Sequence, residues 1–90
     1  MTEEDLNNFK KKLEETTIFP AVYMFKFIVE ADNRKIALVE SLFHEQAEIH
    51  TKESENGKYI SITSKQVVMS SDEVIQVYQE AAKIKGIMFL

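Results

Sequence analysis

The alternation of hydrophobic and polar positions along the chain predicts a helix followed by a strand. Leu6, Phe9 and Leu13 recur at helical spacing, which predicts an amphipathic helix over residues 2–15. Residues 21–30 are rich in aromatic and β-branched side chains, and apolar residues occupy both faces of the strand that they predict. Apolar residues on both faces are typical of a strand at the centre of a sheet.

Five further elements follow in the pattern. They are a helix, two strands, a helix and a strand over residues 34–45, 47–53, 58–69, 70–85 and 87–90. Asn56 and Gly57 both tolerate positive φ, so they predict a hairpin turn between the two middle strands. Ser70 with Glu73 three residues later is a capping-box pattern for the last helix.

From residue 18 onwards the predicted order is strand, helix, strand, strand, helix, strand. Right-handed crossovers and hairpin neighbours arrange these strands as a four-stranded antiparallel sheet, in the order 4-1-3-2, with two helices on one face. We therefore predict an α+β fold of the ferredoxin-like βαββαβ type over residues 18–90. Residues 1–17 are predicted to form an additional N-terminal amphipathic helix.

Composition narrows the chemistry that such a domain can perform. The 90 residues include 15 Asp and Glu against 11 Lys and Arg, giving a formal charge of −4, and no Cys. This charge disfavours binding to nucleic acid or to an anionic membrane, and the missing thiols exclude disulfides, thiolate metal sites and thiol nucleophiles. The acidic N-terminus has no signal-peptide pattern, so the expected location is the cytoplasm.

No arrangement of residues predicts catalysis, a metal or a cofactor. His44, expected at the end of a helix, and His50, expected on an edge strand, do not have the helical spacing of zinc hydrolases. We interpret both as surface residues. The serines lack a nucleophile-elbow motif, and the paired carboxylates lie where helices favour surface charge. The sequence therefore predicts a protein that is not an enzyme and binds no cofactor.

RNA binding is an alternative, because RNA-recognition domains share this order of strands and helices. Such domains carry alternating aromatic residues on the third strand, which stack on bases. Tyr59 provides one aromatic side chain there, but Ser61 and Thr63 occupy the next positions on the same face. Together with the negative charge, this pattern predicts no nucleic-acid partner.

The segment from Phe27 to Val39 resembles the first strand, turn and helix of ACT domains, which bind amino acids and regulate metabolic enzymes. The ACT turn reads Asp, a variable residue, then Pro-Gly. Asp32 fits this pattern, whereas Arg34 and Lys35 occupy the Pro-Gly positions. The resemblance implies a candidate ligand turn, formed by Asp32, Asn33 and Arg34.

A second resemblance, to the YbeD-like family of small uncharacterised bacterial proteins, covers residues 19–90. The matching segments are 19–20, 25–27, 57–63 and 70–72, followed by the apolar residues up to Leu90. The order and spacing of the elements also agree. This resemblance implies a ferredoxin-like, ACT-like fold, a bacterial cytoplasmic protein and a regulatory or interaction role without catalytic residues.

The sheet face opposite the helices is the candidate binding surface. If Phe25, Phe27, Ile60 and Ile62 point towards the helices, this open face carries Val22, Met24, Lys26, Ile28, Tyr59, Ser61, Thr63 and Lys65. Apolar side chains with polar neighbours are typical of interaction sites. Three occupants fit this pattern: the protein's own N-terminal helix, a second copy forming a homodimer through the sheet, or another protein.

These observations lead to two hypotheses about function. The first is a non-enzymatic regulatory or adaptor protein, which binds an unidentified protein partner through the open face. The alternative is an ACT-like sensor of an amino acid or nucleotide, which binds its ligand at Asp32, Asn33 and Arg34. Neither hypothesis involves nucleic acid or a membrane.

Overall fold

A computed structural model of the protein describes residues 2–90 as three helices and one four-stranded antiparallel sheet. Met1, the first residue of the predicted segment 1–17, lies outside the described residues. The elements are α1 (Glu3–Thr16), β1 (Ala21–Glu30), α2 (Asn33–Glu40), β2 (Glu48–Glu53), β3 (Tyr59–Val68), α3 (Ser71–Ala81) and β4 (Met88–Phe89). The strand order β2-β3-β1-β4 is the predicted order read from the other edge, so the predicted fold is confirmed.

Two helices end earlier than the sequence pattern indicates. The pattern predicts a helix to residue 45, but α2 ends at Glu40. The Ser41 hydroxyl donates to the Leu38 carbonyl at 2.6 Å and competes with continued helix. The last helix was expected to reach residue 85, yet α3 ends at Ala81, where Ile84 N–H donates to the Ala81 carbonyl in a tighter turn.

The core lies between the sheet and the helices, and it is rich in aromatic rings. Phe25 and Phe27 on β1 are fully buried, and the Phe27 ring lies 5.6 Å from the Tyr78 ring of α3. Phe43, which follows α2, stacks on Phe27 with ring centroids 6.0 Å apart. The inward positions of β1 and β3 are therefore those that the alternation predicted.

Helix α1 packs against α3 on the helical side of the sheet. The Phe9 ring meets the Tyr78 ring edge-on at 5.4 Å, and Lys10 pairs with Asp72 at 2.6 Å. Leu13 is buried in the core. The N-terminal helix therefore does not occupy the open face of the sheet, which removes one of the three occupants that the sequence allowed.

Candidate protein-binding face

The regular alternation of β1 and β3 brings all eight predicted face residues to the side of the sheet opposite the helices. Cα register pairs Met24 with Lys65, and Lys26 with Thr63. The apolar side chains on this face are accessible, with Val22 69% and Met24 53% exposed. The open face is thus a real surface of the molecule, and helices cover only the other side.

The open face extends further than the sequence indicated. Continuing the alternation of β3 beyond Lys65 adds Val67, 54% exposed, and Met69, 65% exposed. Strand β4 adds Met88, which pairs with Ile28, and the chain then places Leu90 beside Lys26. The continued alternation was readable from the sequence, but the contribution of β4 required knowledge of its register.

Apolar residues occupy the two ends of the open face, and cationic side chains separate them. Lys26 and Lys65 lie on the central strands, and Lys52 lies on β2 opposite Ser61. None of these three lysines has a carboxylate within 4.0 Å among residues 2–90. The face therefore carries three lysines without a salt bridge between apolar patches, with the carboxylate of Glu48 as the cross-strand neighbour of Lys65.

The edge strand β2 carries its own charged pair on this face. His50 and Glu48 lie 3.0 Å apart, and the hydrogen bond from His50 lowers the pKa of the Glu48 carboxyl, with Lys65 adding to the effect. A shallow cavity of about 200 Å³ lies along the same edge. Its lining residues are Ile28, Lys52, Glu53, Ser54, Tyr59 and Ser61. Tyr59 is thus placed beside apolar and cationic side chains.

The predicted ligand turn lies at the start of α2, in the helical layer rather than on the open face. Asp32 is the N-cap residue, and its carboxylate accepts a hydrogen bond from Arg34 N–H at 2.8 Å. Asp32 and Arg34 line a groove of about 490 Å³ between α2 and the end of α3, but Asn33 does not. The chain's own carboxylate therefore already occupies a donor that a bound anion would use.

The groove beside this turn has an apolar and a cationic component. Leu38, Leu42 and Ile84 are its apolar residues. Its cationic residues are Arg34, Lys35, Lys83 and Lys85. Two of these are paired, because Lys35 contacts Glu30 at 3.0 Å and Lys83 contacts Glu80 at 3.1 Å. The groove is thus a shallow amphipathic surface in which part of the positive charge is already neutralised.

His44 lies in the turn after α2 and connects it to α3. Its Nε2 atom is 2.6 Å from Glu73 Oε1, and its backbone N–H donates to the buried Gln66 side chain at 3.1 Å. The other Glu73 oxygen accepts from Met69 N–H at 2.7 Å. Ser70 caps α3 as predicted, since its hydroxyl accepts from Glu73 N–H. The Glu73 carboxylate accepts from Met69 N–H instead of from Ser70 N–H, so the second hydrogen bond of the predicted capping box is absent. This network links the turn after α2 to the start of α3.

The Glu73 carboxylate predicts an acid-dependent loss of stability. The hydrogen bond from Met69 N–H, with a smaller contribution from His44, lowers the pKa of Glu73 in the folded state. The stability that the charged Glu73 side chain contributes is therefore fully present above the pKa of an unfolded Glu. It is lost as pH falls through the pKa of Glu73 in the folded protein. We expect Glu73→Gln to lower the free energy of unfolding by about 1 kcal/mol at pH 7.

Urea unfolding of the wild type and Glu73→Gln at pH 7 and pH 3 measures this effect. The difference between the two proteins is expected to be smaller at pH 3 than at pH 7, because protonation of Glu73 removes the charge that distinguishes it from Gln. Glu55→Gln, in an exposed turn, is the control and should change neither value. A Glu73→Gln difference that stays constant over this pH range would contradict the assignment.

No cluster of three or more His, Asp or Glu side chains able to hold a metal ion occurs among residues 2–90. Over the same residues, no helix has the length and apolar character needed to cross a membrane.

Comparison with known proteins places the chain in a family. A UPF0250 protein of Shewanella halifaxensis is 31% identical over 80 residues, which cover 84% of this chain and 91% of the relative. A UPF0250 protein of Shewanella putrefaciens is 32% identical with the same coverage. No solved structure matched the chain. A family model described as protein of unknown function (DUF493) matches residues 14–90, and the chain belongs to this bacterial, YbeD-like family.

Proposed function

We propose that this protein is a regulatory or adaptor protein that works by binding another protein through the open face, rather than by catalysis. The observation that carries the proposal is the exposure of large apolar side chains on one sheet face, including Val22, Met24 and Met69. Extended apolar patches bordered by polar residues are typical of protein interaction sites. The binding surface comprises the predicted residues together with Val67, Met69, Met88 and Leu90.

The charge of the open face favours a different protein over a second copy. In a symmetric face-to-face dimer, the central row of each sheet meets the central row of the other copy. Lys26 would then approach its own counterpart, and so would Lys65, whose cross-strand neighbour Glu48 already bonds to His50. A partner with carboxylates between apolar side chains complements the same surface, because its acids would lie against these lysines.

Affinity capture from a bacterial lysate with paired variants tests this function. We expect Met24→Asp and Lys26→Glu each to reduce capture of the bound protein by about tenfold or more, because the two changes remove an apolar contact and the complementary charge. Leu38→Asp is the matched control, since Leu38 is 46% exposed but lies on α2. Circular dichroism verifies that all variants are folded.

The variants that lose the captured protein show whether the open face is the binding surface. Capture retained by Leu38→Asp and lost by both open-face variants supports the function. Capture that persists in Met24→Asp and Lys26→Glu, or that is lost only from Leu38→Asp, would contradict it. A third pattern, with no protein captured by the wild type, also counts against an adaptor.

An ACT-like sensor is the second candidate, and the groove that contains Asp32 and Arg34 supports it. A ligand there would be a small anion with an apolar part, such as an amino acid or a nucleotide. A ligand at 100 times its dissociation constant adds about 2.7 kcal/mol of stability. The sensor therefore predicts a higher melting temperature for the wild type with ligand, and a smaller increase for Arg34→Ala.

A further inference from the structure

Strand β4 pairs with only a short part of β1. β1 has ten residues, whereas β4 has two, which lie opposite Phe27 and Ile28. Leu90 N–H adds one bond to the Lys26 carbonyl at 3.0 Å. The first half of β1, residues 21–25, therefore has β3 on one side and no strand of residues 2–90 on the other.

The hydrogen-bond pattern identifies which backbone groups are free on this side. Ala31 N–H bonds to the Lys58 carbonyl, in register with the β1–β3 pair, so odd-numbered residues of β1 direct their backbone groups towards β3. Lys26 accepts its bond from the β4 side, so even-numbered residues direct theirs the other way. The N–H and C=O groups of Val22 and Met24 consequently point to the free side, with no hydrogen-bond partner among the described residues.

Helix α1 lies on the helical side of this free edge. Tyr78 of α3 contacts Phe9 of α1 at 5.4 Å and Phe89 of β4 at 5.6 Å. Its hydroxyl also lies 3.3 Å from that of Tyr23, which is on the free half of β1. The contact between α3 and the turn at His44 is on the other side of α3. The position beside residues 21–25 is thus an unoccupied strand position flanked by α1.

We propose that the protein partner contributes an extended segment to this position, antiparallel to β1 and in line with β4. The inference rests on the proposed function and specifies how the open face is engaged. Four backbone groups, two on Val22 and two on Met24, match the spacing of the groups that an extended peptide presents. The added strand continues the open face beside Val22 and Met24.

The surroundings of the edge define the side chains of this segment. Residues opposite Tyr23 point to the helical side, where the aromatic rings of Tyr23, Phe9 and Tyr78 favour apolar side chains. The residue opposite Met24 points to the open face and lies diagonally from Lys26, which favours an acid. The segment is therefore one of alternating apolar and acidic or polar residues.

A second copy fits this edge less well than a single strand. Antiparallel pairing of two β1 strands creates a two-fold axis perpendicular to the sheet, so both helical layers lie on the same side. The α1 helices of the two copies, each flanking its own free edge, would then meet over one junction. A single extended segment brings no second α1 helix to this junction, so it avoids that crowding.

Amide hydrogen exchange measured by NMR tests the inference with a panel of synthetic seven-residue peptides. The peptides carry valine at alternate positions and threonine or glutamate between them. Without peptide, the amides of Val22 and Met24 should exchange quickly, and those of Tyr23 and Phe25 slowly. With the peptides that bind, exchange at Val22 and Met24 should slow roughly tenfold, because each gains a hydrogen bond, while Tyr23 and Phe25 stay unchanged.

N-methylated peptides are the matched control. Methyl groups on the peptide nitrogens that face β1 should weaken binding roughly tenfold, because they remove the donors. Methyl groups on the alternate nitrogens should leave binding unchanged. Equal binding of both methylated forms, protection elsewhere on the sheet, or no binding by any peptide would overturn the inference. Protection that increases with protein concentration alone would assign the edge to a second copy and also overturn it.

These outcomes are independent of the capture experiment. If the open-face variants lose their protein but no peptide protects Val22 and Met24, strand addition fails and the proposed function stands. If the variants retain every captured protein, the proposed function fails whatever the peptides do.

Discussion

Phe27→Ala is expected to lower the free energy of unfolding by about 3–5 kcal/mol, because it creates a cavity at the centre of the core. Phe27 is fully buried, and its ring lies 5.5–6.2 Å from the rings of its neighbours. These neighbours are Phe25, Phe43, Tyr78 and Phe89, which belong to four separate parts of the chain. A domain of this size has a total free energy of unfolding of roughly 5–14 kcal/mol, so the loss is a large fraction of it.

Urea unfolding followed by circular dichroism measures this change, and two further variants keep it interpretable. Val22→Ala removes an apolar side chain from the same strand but from the open face, so its expected effect is within about 0.5 kcal/mol. Phe27→Leu fills most of the cavity and remains folded if the alanine variant does not. A Phe27→Ala protein as stable as Val22→Ala would contradict the assignment of faces.

The alternation along β1 and β3 is the part of the fold that the sequence determines most directly. A side-chain period of two allows only two assignments of faces, and Phe25 and Phe27 select one of them. The hairpin at Asn56-Gly57 fixes how β3 returns, since Gly57 has a φ of +70°. Together these features allowed the predicted face residues to be placed on one surface.

The position of α1 could not be predicted from its own pattern. Leu6, Phe9 and Leu13 form an apolar stripe that fits either side of the sheet equally well. The contacts that decide the matter are made with Asp72, Ser71 and Tyr78, and they depend on tertiary packing rather than on local sequence. The local signal that was present, the Thr2–Asp5 capping box, fixes only where the helix begins.

The free edge of β1 was likewise invisible in the sequence. The apolar run at residues 87–90 predicts a strand, but its paired residues are only Met88 and Phe89. Which half of β1 this short strand covers depends on register, and register here is set by the packing of Phe89 on Phe27 and Tyr78. Sequence patterns therefore predicted the open face but not the edge through which we propose that it is engaged.

Ser64→Ala is expected to raise the free energy of unfolding by about 1–2 kcal/mol, because it removes a buried polar group that lacks a partner. Ser64 lies on β3, fully buried, between Phe25 on β1 and Ile49 on β2. Its hydroxyl is the one buried side-chain polar atom without a hydrogen bond among residues 2–90. Its desolvation is thus an uncompensated cost in the folded state.

Ser61→Ala on the same strand is the matched comparison for this prediction. The Ser61 hydroxyl faces the other side of the sheet and donates to the Lys52 carbonyl at 3.3 Å. Its removal should leave stability unchanged or lower it by up to about 1 kcal/mol. Thermal and urea unfolding of both variants measure whether each substitution raises or lowers the free energy of unfolding. A loss of stability in Ser64→Ala would show that the hydroxyl makes a hydrogen bond in solution. An increase would also provide a more stable protein with the side chains of the open face unaltered, since Ser64 points to the helical side of the sheet.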